Sequence, residues 1–211
     1  MANKILQEGQ SYTFRSYFEM PYEADEILAE FGYELRRSRL SLPTVTIVLE
    51  RLSELKQRLE ETLVLISLSN EAARREALVF PVLLEVARFC QCQIRIEYPL
   101  TVNDWLKGNL DYLLRRNGDL LVIEAKNADL ARGFTQLAVE LIALAQAESK
   151  TLLYGAVTIG DTWRFGCLDS QSHQITQDLT LYRVPDDLEQ LTQILIGLIQ
   201  PPLSESITDL P

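Results

Sequence analysis

The residues with the clearest potential for chemistry are two acids and a lysine near the middle of the chain. Glu124-Ala125-Lys126 ends a strongly apolar segment, and Asp111 lies a short distance before it. Because side chains alternate along a strand, Glu124 and Lys126 are expected on the same side. Two carboxylates with open coordination positions suit Mg²⁺ or Mn²⁺, which prefer oxygen ligands. Such a metal polarises a phosphoryl oxygen and lowers the pKa of a bound water, and a nearby lysine can orient that water.

The pattern around these residues predicts a β-hairpin that would bring the acids together. Strands are expected over 109–115 and 120–125, and Asn117-Gly118 at the centre of the intervening turn is typical of a tight hairpin. Pairing about this turn places Asp111 close to Glu124. The segment 120–125 is apolar on both faces, which is typical of a central strand.

The Glu-x-Lys string carries little information by itself. It also occurs at 54–56 and 148–150, in a chain with only five lysines. Only 124–126 follows a buried strand, where an acid and an amine are costly to place without a reason. A structural salt bridge at the end of the sheet is the alternative to a catalytic site.

The elements predicted from residue 70 onwards are a helix, three strands, a helix and two strands. This order indicates an α/β (α+β) fold in which helices flank a mixed central β-sheet. We expect a mostly helical N-terminal extension over 1–68, one domain over 69–200 and a loose tail over 201–211. The expected helices are 23–31, 44–68, about 70–89, 131–149 and 186–198. The helix over 44–68 is amphipathic, with an apolar stripe from Val48 to Ile66. The other expected strands are 93–100, 151–159 and 162–168.

Composition excludes several classes of function. The 211 residues include one histidine, so mechanisms that need two histidines are excluded. The three cysteines are too irregularly spaced for a zinc finger and indicate reduced thiols in the cytoplasm. No apolar run is long enough to span a membrane. The net charge of −10 argues against a broadly basic nucleic-acid-binding surface, so binding would depend on local arginines at 74–75, 115–116 and 132.

The segments around Asp111 and Glu124 resemble the PD-(D/E)xK nuclease superfamily, which has the restriction-endonuclease-like fold. The matching segments are 108–112, 124–126 and the following helix with Gln136. The segment 154–165 looks like the closing hairpin of nuclease domains in type I restriction motor subunits. The resemblance covers roughly residues 70–168. Leu110 stands where the motif has its proline, and Glu140 stands where some branches have a tyrosine.

The resemblance implies a role for each matching residue. Asp111 and Glu124 would hold the metal with the backbone carbonyl of Ala125, and Lys126 would act on the attacking water. Gln136 would approach the site or the nucleic-acid backbone.

An acid on the first helix often completes such sites. Two candidates occur there, Glu71 and Glu76. We expect Glu76 because it shares a helical face with Val79 and Leu83.

These expectations favour a Mg²⁺- or Mn²⁺-dependent nuclease that acts on DNA more readily than on RNA. One alternative is a non-catalytic module with the same fold, used for scaffolding or protein interaction. Another is a small-molecule phosphohydrolase. The helical stripe from Val48 to Ile66 is interpreted as core, with a homodimer through the N-terminal helices as the alternative.

Overall fold

The computed structural model describes residues 5–47 and 49–200. The tail expected over 201–211 and Val48, the first residue of the predicted stripe, lie outside the described residues. Within them, the helices are α1 (Phe14–Glu19), α2 (Ala24–Ala29), α3 (Leu52–Leu65), α4 (Glu71–Arg74), α5 (Phe80–Cys90), α6 (Leu130–Glu148) and α7 (Leu188–Ile199), and a π-helical turn (Arg75–Val79) joins α4 to α5. None of these helices is both long and apolar enough to cross a membrane.

The strands form one open mixed sheet in the order β1-β7-β6-β5-β4-β3-β2, with β8 paired to β6. The β1–β7 and β4–β5 pairs are parallel, and the other pairs are antiparallel. The strands are β1 (Glu34–Ser38), β2 (Gln93–Thr101), β3 (Lys107–Arg116), β4 (Asp119–Ala125), β5 (Leu152–Thr158), β6 (Thr162–Asp169), β7 (Gln174–Asp178) and β8 (Tyr182–Arg183). Strands β2 to β6 confirm the five predicted strands to within two residues.

Helices cover both faces of the sheet, so the predicted α/β architecture with a mixed, helix-flanked sheet is confirmed. Strand β4 alternates between two cores, since Leu121 and Ile123 face one and Leu120 and Val122 face the other. The first core contains apolar side chains of α3, α5 and α7, and the second contains those of α1, α2 and α6. Burial on both faces explains why β4 is apolar at nearly every position.

The N-terminal region is part of the same sheet and the same cores. Strand β1 pairs with β7, and α1 and α2 pack against α6. Gly197 of α7 allows the chain at Pro43 to approach so closely that a Cβ there would overlap the Pro43 carbonyl oxygen. Short elements such as α1 and β1 cannot bury their apolar side chains alone, so they are stabilised by packing on the larger domain.

The helix expected over 44–68 begins only at Leu52. The preceding Val45-Thr46-Ile47 run is β-branched, which disfavours a helix. The backbone there bonds to α7 instead: the Val45 N–H donates to the Gln193 carbonyl at 3.4 Å, and the Gln193 amide donates to the Ile47 carbonyl at 3.3 Å. Leu55 and Leu59 of the predicted stripe are buried in the first core, but Leu63 and Ile66 are exposed, so the interpretation of the whole stripe as core is wrong at its C-terminal end.

Candidate functional site

The hairpin between β3 and β4 brings Asp111 and Glu124 together. Asn117 and Gly118 both have positive φ, as the predicted Asn-Gly turn requires. The register pairs Tyr112 with Ile123, so Asp111 and Glu124 occupy the next opposed positions. Asp111 Oδ2 accepts a hydrogen bond from the Ala125 N–H at 2.8 Å, which ties its carboxylate to the end of β4.

Lys126 shares the side of the sheet that Glu124 faces. Its ammonium forms an ion pair with Glu124 Oε1, and its backbone N–H donates to the Thr158 carbonyl at 2.8 Å. The Lys126 Nζ lies 5.1 Å from the centre of the Phe18 ring, so α1 covers the lysine. The sequence prediction that these side chains converge is consistent with this geometry.

Gln136 connects Glu124 to a second buried carboxyl group. Its amide nitrogen donates to Glu124 Oε1 at 2.7 Å and to Glu140 Oε1 at 2.8 Å. Glu140 lies one helical turn further along α6 and is fully buried. We expected Gln136 at the site but did not predict a role for Glu140.

Three acceptor atoms of this cluster have no hydrogen-bond donor among the described residues. They are Glu124 Oε2, Gln136 Oε1 and Glu140 Oε2, and each is buried. Buried oxygens without a partner are costly. A proton shared between the Glu124 and Glu140 carboxyl groups would offset part of that cost, and so would a cation bound next to Glu124 Oε2.

The acids of the cluster resist ionisation. Burial, followed by the nearby charges of Glu140 and Asp111, raises the pKa of Glu124 well above its ordinary value. Burial also raises the pKa of Glu140, although the Gln136 hydrogen bond opposes the shift. Burial raises the pKa of Asp111 against the opposing effect of Arg75. Burial, more than neighbouring charge, therefore favours the neutral forms of these acids in the metal-free protein.

The charges act in the opposite direction on the lysine. Burial disfavours the charged ammonium of Lys126, but the Glu124 carboxylate more than compensates, and the pKa of Lys126 is raised. Lys126 is therefore held as a cation beside Glu124.

Arg75 of the π-helical turn neutralises part of the charge on Asp111. Its guanidinium lies 3.1 Å from Asp111 Oδ1 and 2.6 Å from Glu97 Oε1, and it stacks 5.0 Å from the centre of the Tyr112 ring. Burial opposes its charge, but the hydrogen bond to Tyr112 and the charge of Asp111 raise the pKa of Arg75. This arginine belongs to one of the pairs that the sequence placed near the site.

The structure places Glu71, and not the expected Glu76, in the cleft with Asp111. Glu71 lines the cleft, whereas Glu76 is exposed and lines a neighbouring groove. The expectation assumed regular helical spacing from residue 76 to Val79 and Leu83. The π-helical turn over Arg75–Val79 widens the helix and changes which residues share a face.

The side chains surround a cleft of about 420 Å³. The start of α1 forms one wall, and α4 with the π-helical turn forms another. Asp111 and Lys126 are each 9% exposed and Glu124 is 0% exposed, so these side chains are largely shielded from solvent. The charged residues that line it are Arg15, Glu71, Arg75, Glu97, Asp111, Glu124 and Lys126.

The donor set fits a hard divalent cation better than a transition metal. No group of three or more His, Cys, Asp or Glu side chains within residues 5–47 and 49–200 is arranged to hold a metal. Mg²⁺ commonly binds through one or two carboxylates and retains several waters. A Mg²⁺ ion here would be held by Asp111, Glu124 and the Ala125 backbone carbonyl, and Glu124 Oε2 is the oxygen that has no donor among the described residues.

Comparison with known proteins gives no assignment for this chain, because no protein-family model matches it and no curated protein is significantly similar to it.

Proposed function

We propose that this protein is a metal-dependent phosphodiester hydrolase acting on nucleic acid, built on a restriction-endonuclease-like core. The observation that carries the proposal is the buried Glu124 carboxylate. One of its oxygens has no donor among the described residues, and it shares a cleft with Asp111 and Lys126. Mg²⁺ or Mn²⁺ held by Asp111, Glu124 and the Ala125 carbonyl would polarise the phosphoryl oxygen and acidify a bound water.

The side chains of the cluster have separate tasks in this reaction. Gln136 fixes the orientation of Glu124 through its 2.7 Å hydrogen bond. Lys126, held as a cation, orients the attacking water and offsets negative charge on the transferred phosphoryl group. The attacking water releases a proton to solvent as its oxygen bonds to phosphorus, the P–O ester bond breaks, and the leaving oxygen takes up a proton from solvent. Phe18 and α1 limit the access of bulk water to the lysine.

One observation favours the alternative, a non-catalytic module used for scaffolding or protein interaction. Arg75 already pairs with Asp111, and Lys126 already pairs with Glu124. If the Arg75 pair persists in the presence of Mg²⁺, Asp111 has no free oxygen for a metal, because its other oxygen accepts the Ala125 N–H. The two proposals therefore differ in whether the cluster binds a divalent cation.

Cleavage of nucleic acid tests the proposal directly. We would incubate labelled single-stranded DNA, double-stranded DNA and RNA with the protein and Mg²⁺ or Mn²⁺. The Lys126→Ala variant would be compared with Lys56→Ala, which changes an exposed lysine of α3 in the same Glu-x-Lys context. We expect cleavage by the wild type and by Lys56→Ala, and a loss of about 100-fold or more in Lys126→Ala.

Other outcomes would count against nuclease activity. Equal cleavage by all three proteins would identify a contaminating nuclease. No cleavage of any substrate by a folded wild-type protein would favour the non-catalytic module. Hydrolysis of p-nitrophenyl phosphate without cleavage of nucleic acid would favour the small-molecule phosphohydrolase.

A further inference from the structure

A second cavity, of about 520 Å³, lies beside the start of α6 and outside the acidic cleft. Three arginines from separate elements line it: Arg37 of β1, Arg132 of α6 and Arg164 of β6. These strands and this helix are far apart in sequence, so the cavity exists only in the folded protein. Convergence of three guanidinium groups in one cavity is typical of a site for an anion.

Two of these arginines have incomplete partners in the part of the chain that the structure describes. Arg164 Nε is buried without a hydrogen-bond acceptor, and Arg37 Nε donates only weakly, to Gln177 Oε1 at 3.3 Å. Burial lowers the pKa of Arg164, and the nearby Arg37 lowers it further, against the opposing effect of Asp178. A buried donor without an acceptor is costly, and an anion would offset that cost.

Asp129 and one oxygen of Asp178 already have structural partners. Asp129 accepts a hydrogen bond from the Arg132 N–H at 3.0 Å, where it caps α6, and lies 3.5 Å from the Arg132 side chain. Asp178 Oδ1 accepts hydrogen bonds from the backbone N–H groups of Leu40 and Thr180, whereas its Oδ2 is buried without a donor among the described residues. Asp178 faces Arg164 without accepting a hydrogen bond from its Nε. The third acid at the cavity, Glu23, precedes α2.

The cavity lies next to the acidic cleft. Arg132 and Gln136 are four residues apart on α6, and one lines the cavity while the other lines the cleft. Positions four residues apart on a helix are about one turn, or about 6 Å, apart along its axis. A nucleic-acid strand repeats its phosphates on a comparable scale, about 3.4 Å per nucleotide along the axis of a duplex. Helix α6 therefore lines both places one turn apart.

We propose that this cavity binds a backbone phosphate of the substrate strand, a few nucleotides from the phosphate that is cleaved. The proposal rests on the nucleic-acid substrate proposed above. Tyr22 lies at the cavity and is 47% exposed, so its ring is available to stack on an unpaired base next to the bound phosphate. The arrangement favours a single-stranded segment and explains how a chain with a net charge of −10 binds nucleic acid locally.

Binding of a labelled 20-nucleotide DNA single strand in EDTA tests the proposal without cleavage. The variants are Arg37→Gln and Arg164→Gln, and Arg36→Gln is the matched control. Arg36 is the exposed neighbour of Arg37 on β1 and points to the opposite face of the strand. We expect Arg37→Gln and Arg164→Gln each to raise Kd about fivefold or more. Each should also reduce the slope of log Kd against log salt by about 0.7, the value for one contact with a single strand.

Other outcomes separate this proposal from the nuclease proposal. If the wild type cleaves and the arginine variants keep the wild-type Kd and KM, the phosphate site is wrong and the nuclease proposal stands. If the wild type does not cleave but the variants bind more weakly than Arg36→Gln, the phosphate site is supported on its own. If all three variants weaken binding equally, the effect is one of net charge, and the proposed site is wrong.

A competition experiment with inorganic phosphate tests the source of the anion. If the strand occupies the cavity, millimolar phosphate should weaken strand binding to the wild type more than to Arg164→Gln, measured against chloride at matched ionic strength. If phosphate binds the wild type but the strand affinity is the same in all variants, the cavity is a small-anion site and the proposal is overturned. Thermal melts of each variant would verify that Arg164→Gln is folded.

Discussion

Replacing Glu140 with glutamine is expected to stabilise the metal-free protein at neutral pH. Glu140 is fully buried, and burial raises its pKa to about 8 from the ordinary value of 4.5. Its carboxyl group accepts a hydrogen bond from the Gln136 amide at 2.8 Å, which a glutamine oxygen can also accept. The substitution therefore removes a buried ionisable group while it preserves the shape and the hydrogen bond.

The magnitude follows from the two pKa values. Because the folded-state pKa lies above the unfolded one, this group costs stability as the pH rises from about 4.5 towards about 8. At about 1.4 kcal/mol per pKa unit, the cost is under about 1 kcal/mol at pH 5, about 3 kcal/mol at pH 7 and about 4 kcal/mol at pH 8. Burial and the neighbouring Glu140 also raise the pKa of Glu124, so these figures are upper limits for one residue. A gain of 3 kcal/mol corresponds to a rise in Tm of roughly 6–12 °C for a protein of this size.

Urea unfolding in EDTA at pH 5 and pH 8 would measure the effect. Glu60→Gln, which changes an exposed glutamate of α3, is the control and should match the wild type within about 0.5 kcal/mol. The free energy of unfolding of Glu140→Gln should exceed that of the wild type, and the difference should grow with pH. A difference independent of pH, or a less stable variant, would refute the argument that Glu140 is a costly buried acid.

Two further substitutions affect the cleft in different ways. Gly133→Ala would place a Cβ 3.1 Å from Lys126 Cγ and 2.8 Å from Val157 Cγ2. The crowding should displace the lysine, lower kcat about tenfold or more and cost about 1–3 kcal/mol of stability. An unchanged kcat would contradict the role of Lys126. Asp111→Asn keeps an acceptor for the Ala125 N–H but loses the negative charge. It should therefore abolish cleavage while the free energy of unfolding changes by about 1 kcal/mol or less, and retained cleavage in a folded variant would exclude Asp111 from the site.

The local parts of the fold were predictable from the sequence. The Asn117-Gly118 turn requires two residues that tolerate positive φ, and this fixed the register that opposes Asp111 and Glu124. Helix α6 and strand β4 were likewise predictable, because the apolar pattern that identifies each of them lies within a short stretch of the chain. The parallel pairing of β1 with β7 was not predicted, because it joins segments about 140 residues apart and leaves no pattern in either one.

Two details of the site depended on features that periodicity does not show. Regular helical spacing favoured Glu76, but the π-helical turn places Glu71 in the cleft. Glu140 was interpreted as a departure from a motif. The available signal was its position between Val139 and Leu141 in the middle of an apolar helix. Acids are seldom fully buried, so an acid in such a helix indicates a specific role. Its four-residue spacing from Gln136 also places the two side chains on one face.

Binding of Mn²⁺, followed by calorimetry or by the electron paramagnetic resonance of the free ion, tests the central claim most directly. We predict one site in the wild type, and a loss of affinity of about tenfold or more in Glu124→Gln, whose side chain keeps the size of the original but lacks its charge. Lys126→Ala should still bind Mn²⁺ although it no longer cleaves nucleic acid, and Glu60→Gln should behave as the wild type. Equal Mn²⁺ affinity in the wild type and Glu124→Gln, or no binding by the wild type, would contradict the metal site on which the proposed function depends.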